Sequence, residues 1–236
     1  MVEIKGLCKS YDNKRVVDNL DLTINNGEIY GFIGHNGAGK TTTIKCVIGI
    51  LAFEEGSILI DGLSIKEKPL DCKKKIAYIP DNPDLYNYMS GIEYLNFIGD
   101  VFKVSQLERE KAIDKYATVF EIKDSLANPI SSYSHGMRQK LAIIAAWLHN
   151  PDLIIMDEPF VGLDPKASHD LKMMMREFCD NGGSIFFSTH VLEVAEKLCD
   201  KVAIIKEGKL IKSGTMDEVK GDSSLESVFL ELEDHD

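Results

Sequence analysis

The chain has 236 residues, 44% of them hydrophobic, and carries a formal net charge of −11. That length suits one large α/β domain, or two small ones that share a core, and the negative charge argues against a general nucleic-acid binder, which needs a basic surface. The five cysteines include no Cys-x-x-Cys pair and the six histidines are scattered, so we expect free thiols in a reducing cytosol and neither a disulfide framework nor a zinc site.

Short strands joined by turns are predicted for the first sixty residues. Residues 28–33 and 56–60 are apolar and rich in β-forming side chains, and residues 25–27 and 61–62 are typical turn sequences. Charged side chains near the N-terminus interrupt any apolar run, so no secretory signal peptide is expected.

The most informative segment is Gly34 to Thr41, whose spacing of Gly, four residues, Gly, Lys and Thr forms a cradle for nucleotide phosphates. It follows a β-like run and precedes a helical one, and the free N–H groups and dipole of a helix N-terminus favour an anion there. Lys40 is expected to contact the β- and γ-phosphates, and the Thr41 hydroxyl to bind Mg²⁺. A glycine-rich turn that binds nothing is the alternative, but the order strand, loop, helix favours a nucleoside triphosphate site.

After a further β-like run at 76–80, the pattern between residues 90 and 148 becomes helical. Two apolar stripes recur there at three- and four-residue steps and are expected to pack in the core. They comprise Tyr94, Phe97, Ile98 and Val101, then Ile113, Tyr116, Ala117 and Phe120. The longest apolar stretch, 141–148, predicts a buried helix and is far shorter than the ~20 residues that cross a bilayer. If the protein works at a membrane, other subunits must span it.

Two further motifs carry chemistry. Residues 131–140 form a second Ser/Gly-rich turn that opens a helix, so they are a second candidate anion site. An ordinary capped helix explains this stretch equally well when it is taken alone.

Residues 153–156 form an apolar strand ending in Asp157 and Glu158, and acids at such a strand end emerge in the crevice where α/β proteins bind ligands. Asp157 is expected to hold Mg²⁺ through water, and Glu158 to act as the general base on the attacking water. A strand that ends in two surface acids is the alternative.

The C-terminal third returns to β character. The apolar runs 184–187 and 202–205 alternate with helical stretches, which is typical of a parallel sheet buried on both faces. Residues 223–232 predict a final amphipathic helix, with Ser223 and Glu226 spaced as a capping box.

Taken in order, these motifs resemble the ATP-binding subunits of ABC transporters over nearly the whole chain. The matching segments are the Walker A loop at 34–41, the signature at 133–137, the Walker B strand at 154–158, the D-loop at 162–164 and the switch histidine at 188–190. The resemblance implies an α/β fold: a P-loop NTPase (ABC ATPase) core with an N-terminal antiparallel β subdomain and an inserted helical subdomain. The implied organisation is one ATP-binding domain over 1–236, with the core at about 1–85 and 150–215, the helical subdomain at about 86–149 and the C-terminal helix at about 223–233.

The resemblance also implies a set of site residues. Those expected to bind ATP are Tyr11, which would stack on adenine, and Asn36, Gly37, Ala38, Gly39, Lys40, Thr41 and Thr42. Those expected to hold Mg²⁺ are Thr41, Asp81 and Asp157, and the catalytic pair is Glu158 and His190, with His190 contacting the γ-phosphate. Each ATP would lie between this loop and the signature of a second subunit, where Ser134 and the Gly136 amide contact the γ-phosphate and Asp164 ties the two sites together.

Three positions depart from the family pattern. His135 and Met137 stand where the signature usually has Gly and Gln, and a side chain at 135 could crowd the phosphate or point away from it. Asp81 stands where the family has a Gln that links Mg²⁺ and water to the transmembrane partner. A carboxylate is a good Mg²⁺ ligand, so we expect Asp81 to reach the metal.

Some of these residues have plainer interpretations. Tyr11 would otherwise be an ordinary aromatic on a β surface, and His190 a structural histidine. The basic run 73–75 is expected to be a solvated helix face, with a role at lipid headgroups or at a partner subunit as the alternative.

The resemblance implies an ATP-hydrolysing subunit on the cytoplasmic face of the cell membrane. It would form an ATP-dependent homo- or heterodimer with a second nucleotide-binding subunit and drive a separate transmembrane permease, in an exporter by analogy of motif order and length. Nucleic acid is not expected as a partner. Two other classes stay open: a non-transport ABC-type ATPase acting on ribosomes or DNA, which typically carries two cassettes or a long coiled coil, and a regulatory module that senses ATP without hydrolysing it.

Overall fold

The structure is a computed structural model that describes residues 1–234, with the side chains of residues 1–232. Its strands are β1 Val2–Tyr11, β2 Lys14–Ile24, β3 Ile29–Ile33, β4 Glu55–Ile60, β5 Leu63–Ser64, β6 Ile76–Ile79, β7 Leu153–Asp157, β8 Ser184–Thr189, β9 Lys201–Lys206 and β10 Lys209–Thr215. Its α-helices are α1 Lys40–Val47, α2 Pro69–Lys75, α3 Gly91–Val101, α4 Gln106–Val119, α5 His135–Trp147, α6 Pro165–Asp180, α7 Leu192–Leu198, α8 Met216–Lys220 and α9 Leu225–Asp234.

The strands form two sheets. An antiparallel sheet has the order β2-β1-β4-β5, and a six-stranded sheet has the order β10-β9-β3-β8-β7-β6. In the larger sheet β9, β3, β8, β7 and β6 pair in parallel and only β10 is antiparallel. This is the mixed α/β architecture with a separate N-terminal antiparallel sheet that the sequence predicted.

The parallel strands are buried on both faces, which explains their continuous apolar sequences. Because successive side chains of a strand point to opposite faces, β3 contributes Ile29 and Ile33 to one core cluster and Tyr30 and Phe32 to the other. The first cluster lies against the helices of the middle region. The second holds α1 and the antiparallel sheet. The loop between β3 and α1 is therefore fixed at the carboxyl edge of the large sheet, with packed core on either side.

The helices predicted for the middle region are present, and α3 and α4 both begin with a Ser/Glu capping box. The stripe on α4 is buried as expected, through Ile113, Ala117 and Phe120. The expectation for α3 is wrong in part, because Phe97 is 38% exposed and Val101 is 57% exposed. Tyr94 and Ile98 of the predicted stripe do pack against the core cluster, beside the fully buried Leu95. Tyr94 and Ile98 also border a groove described below.

The C-terminal segment differs in detail from the prediction. The short helix α8 was not expected, and α9 begins at Leu225. The predicted capping box of Ser223 and Glu226 is wrong, because the Ser224 hydroxyl accepts the hydrogen bond from the Ser227 amide at 3.1 Å. Two adjacent serines make the register of a cap ambiguous in sequence. Among residues 1–234, no helix has both the length and the hydrophobicity needed to cross a membrane.

Candidate functional site

The loop between β3 and α1, residues 34–41 and hereafter the phosphate loop, has a backbone shape that depends on glycine. Gly39 has a φ of +108°, in the left-handed region that other residues rarely adopt. A Cβ atom there would lie 2.7 Å from the Val16 carbonyl oxygen, so a side chain cannot be accommodated. Helix α1 starts at Lys40, and its first N–H groups open toward the space that the loop surrounds. The loop therefore presents backbone donors to an anion.

Lys40 lies beneath this loop and is only 6% exposed. Its Nζ donates to the carbonyl oxygens of Gly34 at 2.6 Å and His35 at 3.2 Å, and lies 3.6 Å from Oε1 of Glu158. Burial lowers the pKa of Lys40, while the negative charges of Glu158 and Asp157 act in the opposite direction. The ammonium is thus held by weak carbonyl acceptors that a phosphate oxygen can replace.

Asp157 ends strand β7 and links the phosphate loop to strand β8. Its Oδ2 accepts a hydrogen bond from the Thr41 hydroxyl at 2.6 Å, and its Oδ1 accepts one from the Ser188 hydroxyl. The parallel pairing of β7 with β8 sets Asp157 opposite Ser188. The sequence places Ser188 in a motif but indicates no role for it, because nothing local shows that it bonds to a residue 31 positions away.

Glu158 follows Asp157 and has an unusual backbone, with a φ of +48°. Its N–H donates to the Ser188 carbonyl at 3.2 Å, and its Oε2 lies 3.0 Å from Nδ1 of His190. Its Oε1 is buried and has no hydrogen-bond partner among the described residues. Strained conformations of this kind concentrate at functional sites. The carboxylate is therefore oriented by His190 at Oε2, while Oε1 lies near the Lys40 ammonium without a hydrogen bond.

Asp81 completes a group of acids around the loop. A cavity of about 220 Å³ is lined by Asp81, Asp157 and Glu158 together with Asn36, Gly37, Gly39, Lys40, Thr41 and Thr42, all of them predicted site residues, and by Val16 and His35. Burial and the charges of Asp157 and Glu158 raise the pKa of Asp81. Mutual repulsion between these carboxylates favours a cation among them.

The oxygen donors at this place suit Mg²⁺, which prefers carboxylates and hydroxyls and usually binds protein through only one or two of them plus substrate phosphates. The hydrogen bond between Thr41 and Asp157 brings two such donors together. Among residues 1–234, no group of three or more His, Cys, Asp or Glu side chains could hold a metal alone. The donor set therefore fits Mg²⁺ that arrives with a nucleotide better than a permanently bound ion.

The remaining predicted residues lie outside this cavity. Ser134 is exposed and caps α5, accepting from the Met137 amide at 3.2 Å. Asp164 caps α6, accepting from the Ala167 amide at 2.8 Å, and forms an ion pair with Lys140 at 2.8 Å. These contacts lower the pKa of Asp164 to about 2, the bond from Lys140 contributing most.

The signature turn, residues 133–137, packs on the loop that precedes α6. A Cβ atom at Gly136 would lie 2.7 Å from the Gly162 carbonyl oxygen, and one at Gly162 would collide with the His135 ring. The His135 ring therefore covers Gly162 of its own chain. Met137 packs against the core.

Tyr11 lies exposed at the end of the β1–β2 hairpin, opposite Lys14. The hairpin borders a second cavity of about 600 Å³ beside the phosphate loop, lined by Lys14, Arg15 and Val16 but not by Tyr11. Asn36, Gly37 and Ala38 of the phosphate loop also line it. Lys14 and Arg15 were not among the predicted site residues. Their position just after the hairpin turn is the one feature of the sequence that could have indicated them.

Comparison with known proteins gives a consistent result. The profile of the ABC transporter family matches residues 17–161. The chain is 34% identical to the ABC-type transporter ATP-binding protein EcsA of Bacillus subtilis, over 100% of this chain and 98% of that protein. A solved ATP-binding subunit of an ABC transporter superposes with a TM-score of 0.95 at 34% identity, covering 99% of both chains. CbiO1 from Clostridium perfringens, part of the ABC transporter complex CbiONQ, superposes with a TM-score of 0.78 at 26% identity, covering 92% of this chain and 89% of that one.

Proposed function

Because this chain belongs to the ABC transporter family and is an ATP-binding ATPase, we propose that it powers a transporter through ATP-driven closure of a dimer. In this proposal it works at the cytoplasmic face of the membrane, beside a separate transmembrane permease. Export is proposed because the motif order resembles that of exporter cassettes. The observation that carries the proposal is the convergence of the phosphate loop, the Thr41–Asp157 pair and Glu158 on one cavity, with His190 in contact with Glu158.

The triphosphate binds to the phosphate loop in this proposal. The amides of Gly37 and Gly39 and the N-terminus of α1 surround the phosphates, and Lys40 exchanges its two carbonyl acceptors for phosphate oxygens. Tyr11 stacks on the adenine, with Lys14 and Arg15 beside the second cavity. Thr41, Asp157 and Asp81 would hold Mg²⁺, which would supply neutralisation of the phosphate charge.

Glu158 acts as the general base. Its buried Oε1 accepts the proton of a water whose oxygen bonds to the γ-phosphorus, and the bond from that phosphorus to the β–γ bridging oxygen breaks and releases ADP. His190, 3.0 Å from the other carboxylate oxygen, orients Glu158 and contacts the γ-phosphate. The strained backbone at Glu158 fixes the carboxylate before substrate arrives.

The second half of each site comes from a second nucleotide-binding subunit. Ser134 and the Gly136 amide stand at the exposed N-terminus of the 13-residue helix α5, where an anion is favoured. They do not line the cavity around Lys40 of their own chain. They are therefore available to contact the γ-phosphate held by another subunit, with Asp164 on the neighbouring loop connecting the two sites.

This chain offers the permease a docking surface, which is a groove between the middle helices and the large sheet. The groove measures about 410 Å³ and includes Leu85, Tyr94, Ile98 and Phe102 on one wall and Ile48 and Ile50 on the other. Next to it an aromatic cluster of Tyr86, Tyr88, Tyr94 and Phe97 has ring centroids about 6 Å apart, and Tyr88 is largely exposed. Exposed apolar patches of this kind mark interaction sites. Asp84 of the groove lies three residues from Asp81 of the nucleotide cavity, so one short stretch of chain connects the two surfaces.

The test is the variant Glu158→Gln, which keeps the size of the side chain but cannot accept the proton. We expect it to bind ATP, to lose about 100-fold or more in turnover, and to accumulate as a dimer with ATP but not with ADP. Phosphate release and light scattering measure the two effects, and Glu177→Gln, an exposed glutamate on α6, is the matched control. Rapid hydrolysis by Glu158→Gln would remove Glu158 from the base role. A wild-type protein that binds ATP without releasing phosphate would instead be a nucleotide sensor.

A further inference from the structure

The C-terminal helix α9 touches the phosphate loop. The ring of Phe229 meets the ring of His35 edge-on, with centroids 5.0 Å apart and an interplanar angle of 64°. One turn further on, the Leu232 carbonyl accepts a hydrogen bond from Lys206 Nζ at 3.3 Å. His35 and Lys206 both line the larger cavity beside the phosphate loop. One helix at the end of the chain thus contacts two walls of the nucleotide-binding region.

Helix α9 is itself firmly attached to the body of the protein. Leu225, Val228 and Phe229 are buried in the same core cluster as Ala195 and Leu198 of α7. At the start of α9, the Leu225 amide donates to Oε2 of Glu196 at 3.2 Å. Phe229 is therefore presented to His35 from a rigid base.

On the other side of the contact, the His35 backbone belongs to the phosphate-binding machinery. Its carbonyl oxygen accepts from Lys40 Nζ at 3.2 Å and from the Ala38 amide at 3.1 Å. The His35 side chain is exposed and lines both cavities beside the loop. A shift of His35 would therefore move the carbonyl oxygen that holds Lys40. It would also move the turn to Ala38, which orients the amides of the loop.

We propose that Phe229 is a positioning residue for ATP binding: it holds His35, and through the His35 backbone it fixes the phosphate loop in its binding conformation. The physical basis is preorganisation, since a loop that is already ordered loses less entropy when the ligand binds. Helix α9 then sets nucleotide affinity without touching nucleotide, and a partner that displaced α9 would weaken ATP binding. This inference rests on the proposed nucleotide site and adds an element outside its motifs.

A purely structural role for Phe229 makes a different prediction. Val228 is the neighbouring side chain on the same helix, equally buried in the core cluster, and it has no ring to place against His35. Truncation at either position would destabilise α9 by removing buried apolar surface. Only truncation at 229 would release the loop.

The experiment compares Phe229→Ala, Phe229→Leu and Val228→Ala in the full-length protein, by calorimetric titration with Mg-ADP and by steady-state ATPase assays. We expect Phe229→Ala to raise the Kd for ADP and the KM for ATP about three- to tenfold, the range of one aromatic contact. The kcat at saturating ATP should stay within about twofold, because the catalytic groups are unchanged. Val228→Ala should lower Tm with unchanged affinity, and Phe229→Leu should restore part of the affinity.

A double-mutant cycle with His35→Ala makes the test specific, because in that background Phe229→Ala should have no further effect on affinity. Equal changes in affinity for Phe229→Ala and Val228→Ala, additive effects with His35→Ala, or an unchanged Kd would each overturn the inference. Failure of the wild-type protein to bind Mg-ADP would overturn the proposed nucleotide site instead, so the two failures are distinguishable.

Discussion

Lys40 and Asp157 lie almost wholly buried under the phosphate loop, whereas Ser134 and Asp164 lie on the surface, where the Asp164 side chain is 52% exposed. The buried half of the site contains a carboxylate oxygen without a hydrogen bond, a glutamate with a positive φ, and crowded acids whose mutual repulsion Mg²⁺ would reduce. The exposed half has its own side-chain hydrogen bonds satisfied as helix caps and needs no ligand to be stable. This difference supports the proposal that the first half binds nucleotide within the single chain and that the second completes the site of another subunit.

Among the variants that test this difference between the two halves of the site, the largest effect is expected at Lys40. Lys40→Ala removes the buried ammonium and its charge-assisted bonds to phosphate, so we expect ATP affinity to fall about 100-fold. Lys45→Ala, on the last turn of the same helix α1, is the matched control because it removes an equal charge outside the cavity. Calorimetric titration with ATP measures both. Unchanged binding by Lys40→Ala would contradict the assignment of the phosphate loop.

Much of the buried half of the site could be predicted, because its functional residues lie in short continuous segments of the sequence. The spacing from Gly34 to Thr41 specifies a loop at a helix start, and an apolar strand ending in Asp157 and Glu158 specifies where those acids emerge. The bond from Ser188 to Asp157 could not be predicted, since it depends on the lateral pairing of β7 with β8. Sequence periodicity gives the strands but not the register between distant ones.

The exposed surfaces were harder to predict for a different reason. Phe97 and Val101 follow the helical period of a core stripe, yet both are exposed, and an apolar side chain is compatible with core and surface positions alike. The contact between Phe229 and His35 joins residues from opposite ends of the sequence and has no local pattern. Long-range packing, which propensity and spacing do not encode, decides these features.

The next largest effect is expected at Ser134, where charge can be changed while the helix cap is kept. Asp and Asn cap helices about as well as Ser, so Ser134→Asp and Ser134→Asn should both keep Tm and the ATP affinity of the single chain. The aspartate would face the γ-phosphate of the partner's ATP, so we expect it to weaken ATP-dependent dimerisation at least tenfold relative to the asparagine. Light scattering in the Glu158→Gln background measures this. Equal dimerisation by the two variants would show that the signature turn faces solvent in the dimer.

The smallest effect concerns Asp81, the acid that crowds Asp157 and Glu158 from the side of the groove. If Asp81 helps to hold Mg²⁺, Asp81→Ala should raise the Mg²⁺ concentration for half-maximal turnover about three- to tenfold, while Asp84→Ala, on the same loop but outside the nucleotide cavity, should not. Without nucleotide and Mg²⁺ the same change removes a repelled carboxylate, so Tm should rise slightly or stay constant. A higher Mg²⁺ requirement without a loss of Tm separates a metal ligand from a damaged fold. Unchanged Mg²⁺ dependence would leave Asp157 and Thr41 as the metal's contacts on this chain.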